Sequence, residues 1–402
     1  MESIMKVFVA ALVLLFSVSN MAAANGTGDV TYAEAANGME AVNKKAALNK
    51  KKNDGLVETV SNDVSIRLGG TLQPRITYGS ELDGAGARQE RIGFGVRRLR
   101  LRLYVDIGER FGVFLQMEGS GESATWQDLR GEFRVTEDLT IRAGRFVGAQ
   151  PRAYARTLHS EIDAIDRPAI SEMWARMTIG GDGRDYGMEA LWNTPKWELR
   201  GFLHNGYNRW NYSSGIGRNP ATGGMGTDGF AFSGAATYWP ANRDRFEAGL
   251  YGSVNTAGSV LTELAQIGRN YISYSAHAYW GPRPGDQPFR VKTDFIGISF
   301  QEVEPFEVQN YLGASLFGGY LIASYMELFA MGELWHDDGA GLGITNQFFG
   351  TAGGSYSFSA RKGRPFYHNR IILAYNLRTA AAKSVDFDNL THVVMMQAQF
   401  YF

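Results

Sequence analysis

The sequence predicts an all-β protein, a transmembrane antiparallel β-barrel of about 16 strands with short periplasmic turns and long external loops. Three observations predict it. Polar and apolar residues alternate with period two almost continuously from residue 64 to the end. The connections between the alternating segments are by turns short and long. The one long apolar run, "VFVAALVLLF" at 7–16, stands at the beginning, so no later segment has the ~20 apolar residues of a spanning helix.

Taken in order, Lys6, that apolar run and Ala22, Ala23 and Ala24 ahead of Asn25 read as a secretory signal peptide over 1–24. A membrane anchor fits less well, because the run is about half a spanning length. Residues 25–60, with "NKKAALNKKKNDG" at 43–55, form a polar N-terminal extension. Six of the ten lysines precede residue 60 and all thirty arginines follow it, so charge use changes there. A solvated linker is the expected role of such a charge run, with a functional tether as the alternative. The chain has no cysteine, so no disulfide supports the exported protein.

The barrel is expected over 61–402. In "IRLGGTLQPRITY", 66–78, one face reads Ile66, Leu68, Gly70, Leu72, Pro74, Ile76, Tyr78 and the other Arg67, Gly69, Thr71, Gln73, Arg75, Thr77. A helix would scatter these arginines around its axis; a strand gathers them on one face. Further strands are expected at 95–107, 111–118, 126–135, 139–146, 184–193, 196–206, 229–239, 246–255, 271–280, 289–300, 308–317, 321–335, 348–359, 367–378 and 391–402. Tight connections at 108–110, 136–138 and 194–195 alternate with long gaps at 79–92, 147–183, 207–228, 256–270 and 379–390. Placing the first strand outbound puts every short gap on the periplasmic side. Aromatics near strand ends, Tyr78, Tyr104, Trp126, Tyr238, Trp239, Tyr279, Trp280 and Tyr401, suit the interfacial girdles of such barrels, with the core of a β-sandwich as the alternative.

The segment "GVRRLRLRLYVDI", 95–107, alternates Arg98, Arg100 and Arg102 with Leu99, Leu101, Leu103 and Val105. An arginine facing lipid costs ~2–4 kcal/mol near the bilayer midplane. Three would consume most of a fold's ~5–15 kcal/mol of stability, so they face the lumen. At ~6.7 Å between alternate residues they form a ladder of guanidinium groups, a series of weak anion sites. Arg67, Arg75, Arg130, Arg134, Arg142, Arg200, Arg290 and Arg370 share the inward face with Asp106, Glu118, Asp128, Glu132, Glu198 and Asp294. That mixture also permits a plainer role, in which cross-strand Arg–carboxylate pairs stiffen a wet wall. Arg97 has the wrong parity and is expected at the membrane rim.

"VRRLRLRLYVDIGERFGVFLQME" followed by "WQDLRGEFRVTEDLTIRAGRF" resembles the phosphate-selective porin O and P family, most clearly over 66–193. The resemblance implies a sixteen-stranded outer-membrane barrel, usually trimeric, that passes small anions through a constriction made partly by an infolded third external loop. The chain departs from that family in its lysines: only Lys196, Lys292, Lys362 and Lys383 follow residue 60, which leaves phosphate as an open substrate. A chain ending "HVVMMQAQFYF", with Phe402 last, resembles the signal read by the machinery that assembles outer-membrane barrels.

The expected anion path is thus Arg98, Arg100, Arg102, Arg67, Arg75, Arg130 and Arg134. The gap at 147–183 is the expected constriction loop, with Arg152, Arg156, Asp163, Asp166 and Arg167 as its site residues; an outward loop packing on a trimer neighbour is the alternative. His159, Ser160, Glu161 and Asp163 lie close in sequence, but adjacency within one loop is not a catalytic geometry, and H-E-x-x-H, G-x-S-x-G and P-loop motifs are absent. The reading is therefore not an enzyme and needs no cofactor or metal. It is a diffusion channel for small hydrophilic solutes with a preference for anions, in the outer membrane of a Gram-negative bacterium. A non-selective porin and a non-conducting scaffold or adhesin are the alternatives. Its expected partners are outer-membrane lipid, small anions, two further copies and the assembly machinery; a net charge near −1 gives no reason to expect nucleic acid.

Overall fold

A computed structural model describes residues 56–61, 63–82, 87–120, 123–155, 161–179, 182–206, 230–240, 243, 245–256, 269–284, 287–302, 307–338, 345–379 and 390–402. The expected signal peptide, most of the extension, and Arg156, His159 and Ser160 lie outside the described residues.

The strands are β1 Leu56–Ser61, β2 Val64–Leu82, β3 Arg88–Ile107, β4 Phe111–Glu118, β5 Thr125–Arg134, β6 Leu139–Phe146, β7 Asp185–Asn193, β8 Trp197–His204, β9 Ala231–Tyr238, β10 Phe246–Asn255, β11 Tyr271–Trp280, β12 Phe289–Phe300, β13 Gln309–Ala323, β14 Met326–Asp337, β15 Thr345–Ser357, β16 Arg370–Thr379 and β17 Leu390–Tyr401. Two helices, α1 Arg152–Ala155 and α2 Ala169–Thr178, lie between β6 and β7. Each strand from β2 to β17 pairs antiparallel with the next, and β17 returns to β2 with His392 opposite Ser80 and Tyr401 opposite Thr71. Sixteen strands therefore close the barrel, leaving no sheet edge in the membrane. They correspond one to one with the expected sixteen.

The seventeenth strand was not foreseen. β1 hairpins onto β2 with Leu56 opposite Leu68, so pairing begins inside the stretch expected to be an extension. It takes over the β2 edge where β17 stops: Gly70 N–H donates to Phe402 O at 2.7 Å. A Cβ on Gly70 would stand 2.3 Å from the Phe402 ring, so glycine lets the terminal ring lie against the strand.

Three expectations need correction. The gap at 79–92 is mostly strand, paired from Gly79–Arg91 to Leu82–Arg88. The alternation fades there because the hairpin extends past the apolar band, where water bathes both faces. The turn near 318–320 moves to residues 324–325, since β13 continues to Ala323. Arg97 does not keep the odd-one-out parity read for it. The β2–β3 register shifts so that Gln73 faces Arg98 while Pro74 faces Val96, which makes Arg97 the extra residue of a β-bulge.

Outside, Leu101, Leu203, Phe232, Leu250, Leu316 and Leu328 are exposed, as a lipid-facing surface requires. Trp126, Trp197 and Trp280 are also exposed. Tyr104, Trp239, Tyr279 and Tyr401 instead serve the lumen. Arg67 lies over the Tyr104 ring, Arg102 over Tyr401, Trp239 Nε1 donates to Glu247, and Tyr279 OH donates to Asp294.

Candidate permeation site in the barrel lumen

The segment between β6 and β7 folds into the barrel. Its helix α2 places Ile170, Trp174 and Met177 on one face, at helical spacing, against Tyr251, Tyr271, Ile296, Ile298, Tyr311 and Trp335 of the inner wall. Trp174 Nε1 donates to Ser273 Oγ at 2.8 Å, and the Ile170 N–H at the start of α2 donates to Glu333 Oε2 at 3.1 Å. Burying the apolar face and satisfying an end N–H together hold the helix against one side. This helix was missed in the sequence because charged residues interleave its apolar face; the spacing Ile170–Trp174–Met177 after Pro168 was the available signal.

Ion pairs then stretch the segment across the lumen. Asp163 meets Arg290 and Lys292 of β12, each at 2.7 Å, and accepts the Tyr367 hydroxyl at 2.7 Å. Asp166 takes both ends of the Arg75 fork at 2.8 and 2.9 Å and Arg97 Nε at 3.2 Å. Arg152 grips Glu247 at 2.5 and 2.9 Å. Arg167 lies over the Tyr154 ring and meets Glu172 at 3.5 Å. Burial alone would raise the pKa of both aspartates. Lys292 and Arg290 outweigh it for Asp163, and Arg75 with Arg97 and Arg98 for Asp166, so both stay ionised below the usual carboxylate range.

The ladder arginines all face inward and are occluded, at 2% exposure for Arg98, 7% for Arg100 and 3% for Arg102. Their neighbours differ. Arg100 Nε pairs with Glu118 Oε2 at 2.5 Å, directly across the β3–β4 ladder. Arg102 donates to Gly70 O and Thr71 Oγ1 and stacks on Tyr401 at 4.7 Å, which ties it to the closing seam of the barrel. Arg98 donates to Gln73 Oε1 at 2.9 Å, and no carboxylate among the described residues lies within ion-pair distance of it. Arg97, Arg167 and Arg100 act on it more strongly than Asp166 does. The bulge is what brings Arg97 to the same side as Arg98.

The remaining path residues are paired. Arg67 and Arg134 share Asp106 at 3.6 and 2.8 Å. Arg130 begins a chain that runs around the wall: Glu132 joins it to Arg142, Glu189 joins Arg142 to Arg200, Glu198 joins Arg200 to Arg152, and Arg152 ends on Glu247, at separations of 2.5–3.9 Å. Asp128 pairs with Arg184 at 2.9 Å. Asp185, His204 and Ser233 also form a hydrogen-bonded chain at 2.7 and 2.8 Å, but Ser233 is sealed at 1% exposure, where no substrate reaches its hydroxyl.

The sequence matches no protein-family model and no curated protein. The structure resembles an anion-selective porin from Comamonas acidovorans at 12% identity and a TM-score of 0.61, covering 85% of this chain and 100% of that one. The fold is that of the outer-membrane porins. The outer-membrane channel DcaP of Acinetobacter baumannii aligns over 86% of this chain and 100% of its own at 14% identity and a TM-score of 0.56. An in-vitro-folded OmpT of Vibrio cholerae in trimer form aligns over 85% and 100% at 9% identity and a TM-score of 0.55. With its apolar exterior and closed sheet, the chain has the build of a membrane-spanning barrel.

Proposed function

We propose that this barrel is a passive diffusion channel for small hydrophilic solutes that prefers anions, and that Arg98, supported by Arg97 and Arg167, sets the preference. The observation that carries this reading is the buried, inward Arg98 with three arginines around it and, among the described residues, no carboxylate within pairing distance. At 2% exposure Arg98 acts on a passing anion through its field rather than by contact, and an attraction of that kind is weak enough to permit release. The anion selectivity named for the Comamonas porin agrees with it. Arg100 and Arg102 shape the local field while bound to Glu118 and to the seam.

Phosphate is one candidate among the anions. Lysine gives it little support, because Lys292 is engaged by Asp163 and Lys196 and Lys362 lie exposed in turns. A homotrimer and recognition of Phe402 by the assembly machinery belong to the same proposal, the trimer by likeness to the trimeric OmpT. Catalysis is not part of it.

Reconstitution into planar bilayers tests the channel. Stepwise conductance is expected, with chloride current reduced by added phosphate if phosphate shares the path. An insulating bilayer would favour the scaffold or adhesin reading, and conductance without ion preference a general porin.

A further inference from the structure

A second lumenal feature lies beyond Asp166 from the β3 arginines. Between the infolded segment and the β11–β13 wall is a cavity of about 40 Å³, room for about three waters, lined by Glu161, Arg283, Lys292, Asp294, Tyr279 and Phe317, among others. Two of its polar atoms are buried without partners: Glu161 Oε1, an acceptor, and Arg283 Nε, a donor. The two side chains form an ion pair at 3.9 Å through Glu161 Oε2, which leaves Glu161 Oε1 and Arg283 Nε to a further partner, and the Glu161 side chain is only 5% exposed. Protein interiors rarely leave such groups unmatched.

We infer that this cavity is a subsite for a small zwitterionic solute of the α-amino-acid kind, whose ammonium is received by Glu161 and whose carboxylate is received by Arg283. The inference rests on the channel reading above. A simple anion meets Glu161 and Asp294 here and a simple cation meets Arg283 and Lys292, so neither is favoured. A solute carrying both charges a few ångströms apart satisfies the orphaned donor and the orphaned acceptor together. Asp294, holding the Tyr279 hydroxyl at 2.6 Å, adds a second carboxylate to the lining, and Phe317 offers apolar contact to a short side chain. The β3 cluster and this cavity thus sort solutes differently within one lumen.

Swelling of proteoliposomes in isotonic glycerol, L-alanine and sodium lactate tests this, alanine and lactate differing in the ammonium. Relative to glycerol, alanine uptake is expected to be about fivefold slower in Glu161→Gln and in Arg283→Gln than in the wild type, and unchanged in Glu161→Asp, which keeps the charge. Glycerol uptake equal to wild type certifies that each variant is folded. An alanine-to-glycerol ratio that is the same in the wild type and both neutralised variants overturns the subsite and indicates ordered water only. Absence of glycerol uptake by the wild type overturns the channel reading and this inference with it.

Discussion

Two stretches of the lumen are rich in arginine and differ in what stands beside each one. On the wall from β5 to β10, Arg130, Arg142, Arg200 and Arg152 alternate with Glu132, Glu189, Glu198 and Glu247 in an unbroken chain. On β3, Arg98 has no carboxylate within pairing distance among the described residues, whereas Arg97, Arg100 and Arg167 around it each have one. The first region is compensated and stiff, and its field largely cancels a few ångströms away. The second keeps its positive potential, and the low-dielectric wall behind it reduces screening. On the proposed function, counting lumenal arginines says little about ion preference, and their neighbours are expected to decide it.

Breaking the compensated region should cost the most. Glu247 is fully buried and accepts from Arg152 and from Trp239 Nε1. Glu247→Leu removes the closest partner of Arg152, leaving Glu198 at 3.5 Å, and is expected to destabilise the barrel by about 3 kcal/mol in urea unfolding in lipid vesicles. Asp163→Asn, which loosens the hold of Arg290 and Lys292 on the infolded segment, should cost about 2–3 kcal/mol and alter single-channel conductance, because the segment then samples other positions.

Acid acts on the same clamp with a predictable sign. Asp163 and Asp166 have folded pKa values below the ~3.9 of a free aspartate, so their contribution is fully present above that value. It fades as pH falls through the lowered folded values. The hold of Asp163 and Asp166 on the segment should accordingly persist from pH 7 to about pH 4, so the conductance difference between the wild type and Asp163→Asn should be the same across that range, and a difference that vanishes by pH 5 would count against the clamp. The smallest effect is expected on the seam: Arg102→Gln should leave ion preference nearly as it was and mainly weaken the β2–β3 packing around Tyr401.

The strand count, barrel closure and inward arginines were legible in the sequence because lipid outside and water inside impose period two. Where that demand ends, legibility ends as well. The β2–β3 hairpin beyond Tyr78 is wet on both faces and reads as loop. The bulge at Arg97 had a visible trace, since the apolar phase runs through Ile92, Phe94 and Val96 and then resumes on Leu99, Leu101 and Leu103. The infolding of 147–183 followed from the family resemblance and its length, but its helix and ion-pair partners did not. Asp163 finds Arg290, and Asp166 finds Arg75 and Arg97, across distances in the chain that no local pattern encodes. The Arg100–Glu118 pair was missed for a similar reason: nothing within β3 contains a carboxylate between the ladder arginines, and the partner arrives from β4.

The central claim is that position, and not arginine number, sets ion preference. Reversal potentials in a KCl gradient for the wild type, Arg98→Gln and Arg200→Gln test it most directly, since each variant removes one positive charge from the lumen. The account predicts an anion-selective wild type, a clear loss of chloride preference in Arg98→Gln and a small change in Arg200→Gln. Equal shifts in the two variants, or an unchanged potential in Arg98→Gln, would contradict it.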